Sequence, residues 1–234
     1  MINSERVIAI IPARSRSKSI KDKNIKHIAG KPLIAWSILT GFSSKYIDRV
    51  IVSTDGEEIS KISTSFGAEI IKRPSELASD TSLLIDALRD IILKLRKDGE
   101  TAKYMIVLEP TSPLRNNQDI DNAIELIMSK GYDSVATFSE AELNPHRAWK
   151  IDNGEIKTFI DGAVPWLPRQ KLPEAWQLNG AVYIFEIDKL PKNGVSILFG
   201  YKGSIKMPIE RSLDIDNITQ FLIAESALER TLND

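Results

Sequence analysis

The 234-residue chain has no cysteine and only two histidines, His27 and His146. The first absence excludes disulfides, thiolate metal sites and cysteine nucleophiles, and the second argues against histidine metal sites and a Ser-His-Asp triad. Any catalytic metal must then rest on carboxylates, which points to Mg²⁺ or Mn²⁺. No glycine lies between Val7 and Ala29, so the first loop is neither a G-x-x-x-x-G-K-[ST] phosphate loop nor a G-x-G-x-x-G fingerprint. Neither charge dominates: 31 Lys and Arg face 32 Asp and Glu, a net charge of -1, unlike the basic balance of a general nucleic-acid binder. No apolar run approaches the roughly eighteen residues of a membrane span. The first six residues carry no secretory pattern either, so a cytoplasmic protein with no membrane partner is expected. This length suits one α/β domain over residues 1–234.

What is present begins with the apolar run Val7-Ile8-Ala9-Ile10-Ile11. Its β-branching and lack of alternation fit a strand buried on both faces of a parallel sheet. The chain then leaves the sheet edge through Pro12 and supplies Arg14, Arg16, Lys18, Lys21 and Lys23 with Ser15, Ser17 and Ser19. Such a density of donors suits a polyphosphate, because Arg forks onto phosphate oxygens and Lys is a movable point charge. The alternative is a solvated basic loop.

Helical spacing over 32–42 closes at Gly41, and strands are expected at 49–54, 68–71, 104–108, 133–138, 180–185 and 204–209. Helices are expected at 57–66, 83–97, 119–130 and 218–232, with Asp80 or Thr81 as N-cap of the second. The early strand-helix alternation implies parallel crossovers. Between 139 and 176 periodicity fails, and Trp149, Trp166 and Trp176 gather there. Exposed indoles make a poor monomer surface, so this stretch is read as a subunit-contact extension, the alternative being that it folds back over its own core.

Asp214 and Asp216 are one residue apart. In an extended segment both point to the same side, as two ligands of a hard divalent cation would. Asp216 as N-cap of the last helix is the competing reading.

Several motifs together resemble one family. Ile11-Pro12-Ala13-Arg14, Ser17-Lys18, Lys23-Asn24 and Gly30-Lys31-Pro32-Leu33-Ile34 are followed by Arg73-Pro74 with Leu77-Ala78-Ser79-Asp80-Thr81. Then come Glu109-Pro110-Thr111-Ser112-Pro113-Leu114-Arg115, Arg169-Gln170 with Pro173, Asn179-Gly180-Ala181-Val182-Tyr183 and Asp214-Ile215-Asp216. In this order they resemble the nucleotidyltransferases that activate 2-keto sugar acids with CTP, the CMP-sialic acid synthetases among them.

The resemblance implies a Rossmann-like nucleotidyltransferase fold, mostly parallel but with a mixed sheet and helices on both faces, and a homodimer whose 139–176 extension reaches its partner. It implies that Arg14, Ser17, Lys18, Lys23, Asn24, Arg73, Ser79 and Asp80 bind the nucleotide, and that Asp214 and Asp216 hold Mg²⁺ or Mn²⁺. Glu109, Thr111, Ser112, Arg147, Arg169, Gln170, Asn179 and Tyr183 would line the sugar-acid site, Arg169 forking onto the acceptor carboxylate, although Tyr183 also suits a core strand. The implied reaction is attack of the anomeric 2-hydroxyl of a 2-keto-3-deoxy sugar acid on the α-phosphorus of CTP. Arg14, Lys18 and Lys23 would neutralise the triphosphate, and the base is either hydroxide on the metal or Asp216.

Two departures stand out. Arg16 and Ser19 occupy positions where the family favours glycine, and Glu109 replaces a glutamine. An ionised Glu109 donates no hydrogen bond, so it is expected to turn the acceptor away from plain N-acetylneuraminate, toward another 2-keto-3-deoxy sugar acid, an amino-substituted one for example. A guanylyltransferase on the same fold and a non-catalytic nucleotide-binding relative are the remaining alternatives.

Overall fold

The computed structural model describes residues 5–17 and 19–233. Lys18 therefore lies outside the described residues.

The chain runs β1 (Val7–Pro12), a small hairpin of β2 (His27–Ile28) and β3 (Lys31–Pro32), α1 (Leu33–Ser43), β4 (Arg49–Thr54), α2 (Glu57–Ser65), β5 (Glu69–Lys72), α3 (Leu84–Lys97) and β6 (Tyr104–Val107). It continues with α4 (Asn117–Lys130), β7 (Ser134–Glu140), a second hairpin of β8 (Trp149–Asp152) and β9 (Glu155–Thr158), β10 (Trp176–Glu186), β11 (Lys202–Lys206) and α5 (Ile218–Asn233).

Seven strands form one sheet in the order β11-β7-β10-β6-β1-β4-β5. β1 pairs parallel with β4 and β6, and β10 enters antiparallel between β6 and β7. The mixed sheet implied by the resemblance is thus present, with β10 as its odd member.

β1 is central because it serves two cores. Val7, Ala9 and Ile11 pack with Ile34 and Ile38 of α1 and Ile120, Ile124 and Ile127 of α4. Ile8 and Ile10 pack with Leu88 and Ile91 of α3 and with Met105 and Phe185. Each fully buried isoleucine contributes about 1.5–3 kcal/mol. A third cluster docks α5, through Phe221 and Leu228, on Ile28, Leu33 and Ile215.

Several local expectations need correction. Gly41 does not end α1 but lies inside it, where a Cβ would come within 3.2 Å of Val50 Cγ2. Its smallness lets α1 approach β4. Neither Asp80 nor Thr81 caps α3, which starts after Leu83 without a side-chain cap. Asp216 does not cap α5, since Asn217 Oδ1 accepts from the Gln220 amide at 3.0 Å while Gln220 Oε1 accepts from the amides of Asp216 and Asn217. β11 stops at Lys206, because Pro208 has no N–H for the ladder.

The 139–176 stretch is more ordered than expected. β8 and β9 form a hairpin turned at Asn153 and Gly154, both at positive φ (48° and 85°). Trp149, Trp166 and Trp176 remain 38%, 84% and 39% exposed. Trp166 in particular is not covered by the chain's own core.

Candidate active site

The segments that follow β1, β5 and β6 at their carboxyl ends open into a cleft of about 590 Å³. Its wall combines the first loop (Arg14, Ser17, Lys23, Asn24) with Arg73, Asp80, Glu109, Thr111, Asp214 and Asp216. Residues expected at the nucleotide and at the metal therefore share one cavity.

The first loop is held by its neighbours. The Ala13 amide donates to Ser53 O at 3.0 Å. The Ser15 amide and hydroxyl both donate to the Asp55 carboxylate, at 2.8 and 2.6 Å. Burial alone would raise the Asp55 pKa, but these bonds outweigh it and hold the carboxyl below its usual range. Asn24 Nδ2 donates to Arg14 O at 3.0 Å, closing the loop on itself. Asn24 thus shapes the loop in addition to facing the cleft.

Arg14 crosses to the 79–82 segment, where Nη1 donates to Ser79 O at 2.8 Å and lies 3.7 Å from Asp80 Oδ1. The Ser79 hydroxyl is bonded to Ser82 at 2.6 Å, leaving its carbonyl as the group aimed at the loop. Lys23 extends the other way. Its Nζ donates to Ile215 O at 2.7 Å and sits 3.9 Å from Asp216 Oδ1, so one cation ties the first loop to the Asp-Ile-Asp segment.

Arg73 is only 5% exposed. Its Nε and Nη2 donate to Ser53 Oγ and O at 3.3 and 3.2 Å. Burial lowers its pKa to about 10, with Asp55 opposing and Arg14 adding to the shift. A rigid, buried guanidinium at the cleft wall suits a planar ring edge better than a solvated loop side chain would.

Asp214 lies on the inner wall and Asp216 at the exposed rim. Burial raises the Asp214 pKa, partly offset by a hydrogen bond from the Thr111 side chain. Asp214 Oδ1 is nevertheless buried with no hydrogen-bond partner among the described residues. An orphaned carboxylate oxygen beside a second carboxylate fits a hard divalent cation. Among the described residues no group of three or more His, Cys, Asp or Glu is close enough to form a complete cage. The residues present would thus supply part of a coordination shell, which suits a metal shared with phosphate oxygens and water.

Glu109 follows β6 and is partly buried. Burial first, then the charge of Asp214, pushes its pKa up to about 7, against the pull of Arg115 and Lys23. Near neutral pH a protonated fraction can donate a hydrogen bond.

The sugar-acid residues do not form one pocket. Ser112 and Asn179 are buried, at 0% and 2% exposure, and their side chains are spent inside the fold. Ser112 Oγ donates to Asn179 O at 3.3 Å, and the Asn179 amide group bonds to Thr137 Oγ1 and Ser212 Oγ at 2.7 and 3.0 Å. Both brace the β10 bulge rather than line a cavity. Tyr183 is partly buried against the core cluster around Phe185, and burial together with Glu109 and Asp214 raises its phenol pKa.

Arg147, Arg169 and Gln170 line a separate cavity of about 530 Å³ in the extension, with Glu140 and Glu174. Arg169 pairs with Glu140, and Arg147 Nη2 donates to Leu167 O at 2.9 Å. Three features escaped the sequence: the Lys23 link to Ile215, the Ser15–Asp55 clasp and the inward set of Arg115. Spacing carries no signal for them, since all three join residues remote in the chain or inside an irregular loop.

Residues 8–158 match the cytidylyltransferase family model. Post-translational flagellin modification protein B of Campylobacter coli is 32% identical over 231 residues, covering 95% of this chain and 97% of the relative. CMP-N,N'-diacetyllegionaminic acid synthase of Legionella pneumophila is 30% identical over 229 residues, covering 96% and 97%. N-acylneuraminate cytidylyltransferase of Streptococcus agalactiae is 32% identical over 217 residues, covering 92% of this chain but 51% of that longer protein. In fold, the chain resembles a CTP complex of CMP:2-keto-3-deoxy-manno-octonic acid synthetase, with a TM-score of 0.73 at 14% identity, covering 97% of this chain and 100% of that one. On the strength of a family match over residues 8–158 and relatives of 30% identity or more along nearly their whole length, the chain belongs to the cytidylyltransferase family.

Proposed function

We propose that this protein transfers CMP from CTP to the anomeric 2-hydroxyl of a 2-keto-3-deoxy sugar acid of the nine-carbon, acylamino-substituted class, and releases pyrophosphate. One observation carries the reading: Arg14, Lys23 and Arg73 share a single cleft with Asp214 and Asp216. Cations for a triphosphate thus lie in the same cavity as carboxylates for a divalent ion. The acceptor class is supported by the relatives named as legionaminic acid and acylneuraminate enzymes. Those names also favour a cytidylyl donor over a guanylyl donor, and a catalyst over a non-catalytic binder.

In this reading Arg14 exchanges its bond to Ser79 O for a phosphate oxygen, and Lys23 and Lys18 offset the charge that builds on the leaving pyrophosphate. Arg73 and the 79–80 backbone lie against the cytosine. Mg²⁺ or Mn²⁺ held by Asp214 and Asp216 would supply Lewis-acid stabilisation of the phosphate oxygens. The acceptor oxygen bonds to the α-phosphorus as the α–β bridging P–O bond breaks, and its proton passes to a base at the carboxylate rim, where Asp216 is the exposed candidate. Such chemistry depends on positioning and charge rather than on a nucleophilic side chain, consistent with a chain that lacks cysteine.

We further propose a homodimer in which the extension, with Arg147, Arg169 and Gln170, approaches the partner's cleft and meets the acceptor carboxylate. Supporting this are the exposed apolar side chains concentrated there, among them Ile151, Ile156, Phe159 and Trp166 at 57–84% exposure. A cytoplasmic location, where CTP is available, goes with this reading.

The test is pyrophosphate release with Mg²⁺ and each of CTP, GTP, UTP and ATP against nonulosonic and octulosonic acids. Turnover with CTP and a nonulosonic acid is expected. Turnover with another nucleotide, or CTP binding without release on any acceptor, would overturn it.

A further inference from the structure

Arg115 is 3% exposed, yet no carboxylate among the described residues forms an ion pair with it. Its donors go to backbone oxygens and one hydroxyl. Nη1 reaches Glu109 O and Ala181 O at 2.8 and 3.0 Å, and Nη2 reaches Glu109 O at 2.8 Å and also Ser37 Oγ. Ser37, on α1, donates its hydroxyl to Glu109 O at 3.2 Å. Arg115 Nε is buried without a partner. Burying a guanidinium in this way is costly, so the arrangement asks for a return beyond packing.

The bonded groups suggest what that return is. Glu109 O belongs to the residue whose carboxyl faces the cleft. Ala181 O belongs to the β10 bulge, where the pairing with β7 shifts register between Leu178 and Tyr183. Within that bulge Gly180 sits at φ 70°, and a Cβ there would lie 3.5 Å from Asp214 Oδ2 and 3.3 Å from Ser112 Oγ. The bulge is therefore the surface against which the Asp214 carboxylate rests. One planar fork thus spans the end of β6, which carries Glu109, and the strand that seats Asp214, with α1 as a third anchor.

We propose that Arg115 is a positioning residue that fixes where the Glu109 and Asp214 carboxyls sit relative to one another in the cleft, acting through the Glu109 carbonyl and the β10 bulge. This rests on the assignment of the cleft as the cytidylyl-transfer site. Lysine keeps the charge but offers a point rather than a fork, and cannot hold both carbonyls and Ser37 in one plane.

The experiment compares wild type, Arg115→Lys, Ser37→Ala, Glu109→Gln and the Arg115→Lys/Glu109→Gln double variant, reading kcat, the KM for CTP, the KM for the acceptor and thermal stability. Because misplacement by about 1 Å costs on the order of 10²-fold in rate, Arg115→Lys is expected to lose about that factor in kcat while the KM for CTP moves less than about threefold. Ser37→Ala, which keeps the buried arginine and folds more readily, is expected to lose kcat in the same pattern but less deeply. The double variant is expected to be no slower than the worse single one, since both act through one element. Reduced stability with unchanged kcat per folded molecule in both Arg115→Lys and Ser37→Ala, or losses that multiply in the double variant, would overturn the proposal.

If wild type releases no pyrophosphate with any sugar acid, the acceptor reading fails by itself. Positioning is then judged by Mn²⁺ titrated into the CTP-bound protein and followed by its paramagnetic signal. Weakening of Mn²⁺ binding by about tenfold in Arg115→Lys, as expected when ligands are misplaced, supports the inference, and equal affinity overturns it.

Discussion

The cleft and the extension carry the same kinds of residue in opposite states. In the cleft, Arg73 is 5% exposed and bonded to Ser53, Lys23 bonds to Ile215 O, and Asp214 rests on the β10 bulge. In the extension, Arg169 is exposed and its ion pair with Glu140 is at the surface, where such pairs are worth only about 0–1 kcal/mol. Trp166 is 84% exposed. The charged side chains of the cleft are thus already held in place within one chain. The extension instead carries large apolar side chains that stand exposed on the single chain, which is the basis for the proposed dimer.

The sharpest way to break this contrast is to remove the cleft's inner carboxylate. Asp214→Asn keeps the shape but loses the charge, and is expected to lower kcat by about 10³-fold or more, measured as pyrophosphate release at saturating CTP. Retention of a tenth of wild-type activity would show that Asp214 is not a metal ligand. Next in size is Arg169→Ala. Losing a charge-assisted fork worth about 1.5–3 kcal/mol should raise the acceptor KM by roughly 10- to 100-fold and leave the KM for CTP unchanged. A matching rise in the KM for CTP would place Arg169 on the nucleotide instead.

Trp166→Glu tests the extension itself. With Trp166 in the proposed interface, a charge there is expected to give monomers in light scattering where wild type gives dimers, while far-UV circular dichroism is unaltered. An unaltered mass would remove this residue from any interface.

The smallest expected effect concerns pH and the cleft's cost to the fold. The Glu109 carboxyl titrates at about 7 in the folded chain, against about 4.3 for an unperturbed glutamate. Its contribution to stability is fully present below the unfolded value and is lost as pH rises through about 7. Glu109→Gln, assayed with chelator present, should therefore be more stable than wild type at pH 8 by on the order of 1–2 kcal/mol and equal to it near pH 4.5. Equal stability at both pH values would show that Glu109 carries no strain.

Much of the fold was legible in the sequence because buried parallel strands announce themselves. Residues 7–11, 50–52 and 104–108 are unbroken apolar runs and lie in the strands expected of them, β6 ending one residue early at Val107. The β8–β9 hairpin was missed although Asp152-Asn153-Gly154-Glu155 carries a turn signal, because its flanking strands are exposed and lack a buried alternation. In the cleft, residue types and order could be read from the motifs, but direction could not. Thr111 and Ser112 are neighbours in one proline-bounded loop, yet Thr111 faces the cleft and Ser112 turns inward to Asn179. No period of 2 or 3.6 governs such a loop, so only the packed structure distinguishes them. Likewise Arg115 belongs to a recognisable motif, but its role depends on Ala181 and Ser37, each more than sixty residues away.

The most direct test of the account is to mix two variants that are each nearly inactive at low acceptor concentration. Asp214→Asn has an intact extension and a disabled cleft, whereas Arg169→Ala has the reverse. If the extension serves the partner's cleft, subunit exchange creates mixed dimers with one intact site, and activity at low acceptor concentration should return to roughly a quarter of wild type, the statistical yield for a twofold dimer. No recovery after demonstrated exchange would contradict the account, because it would mean that Arg169 works within its own chain or not at all.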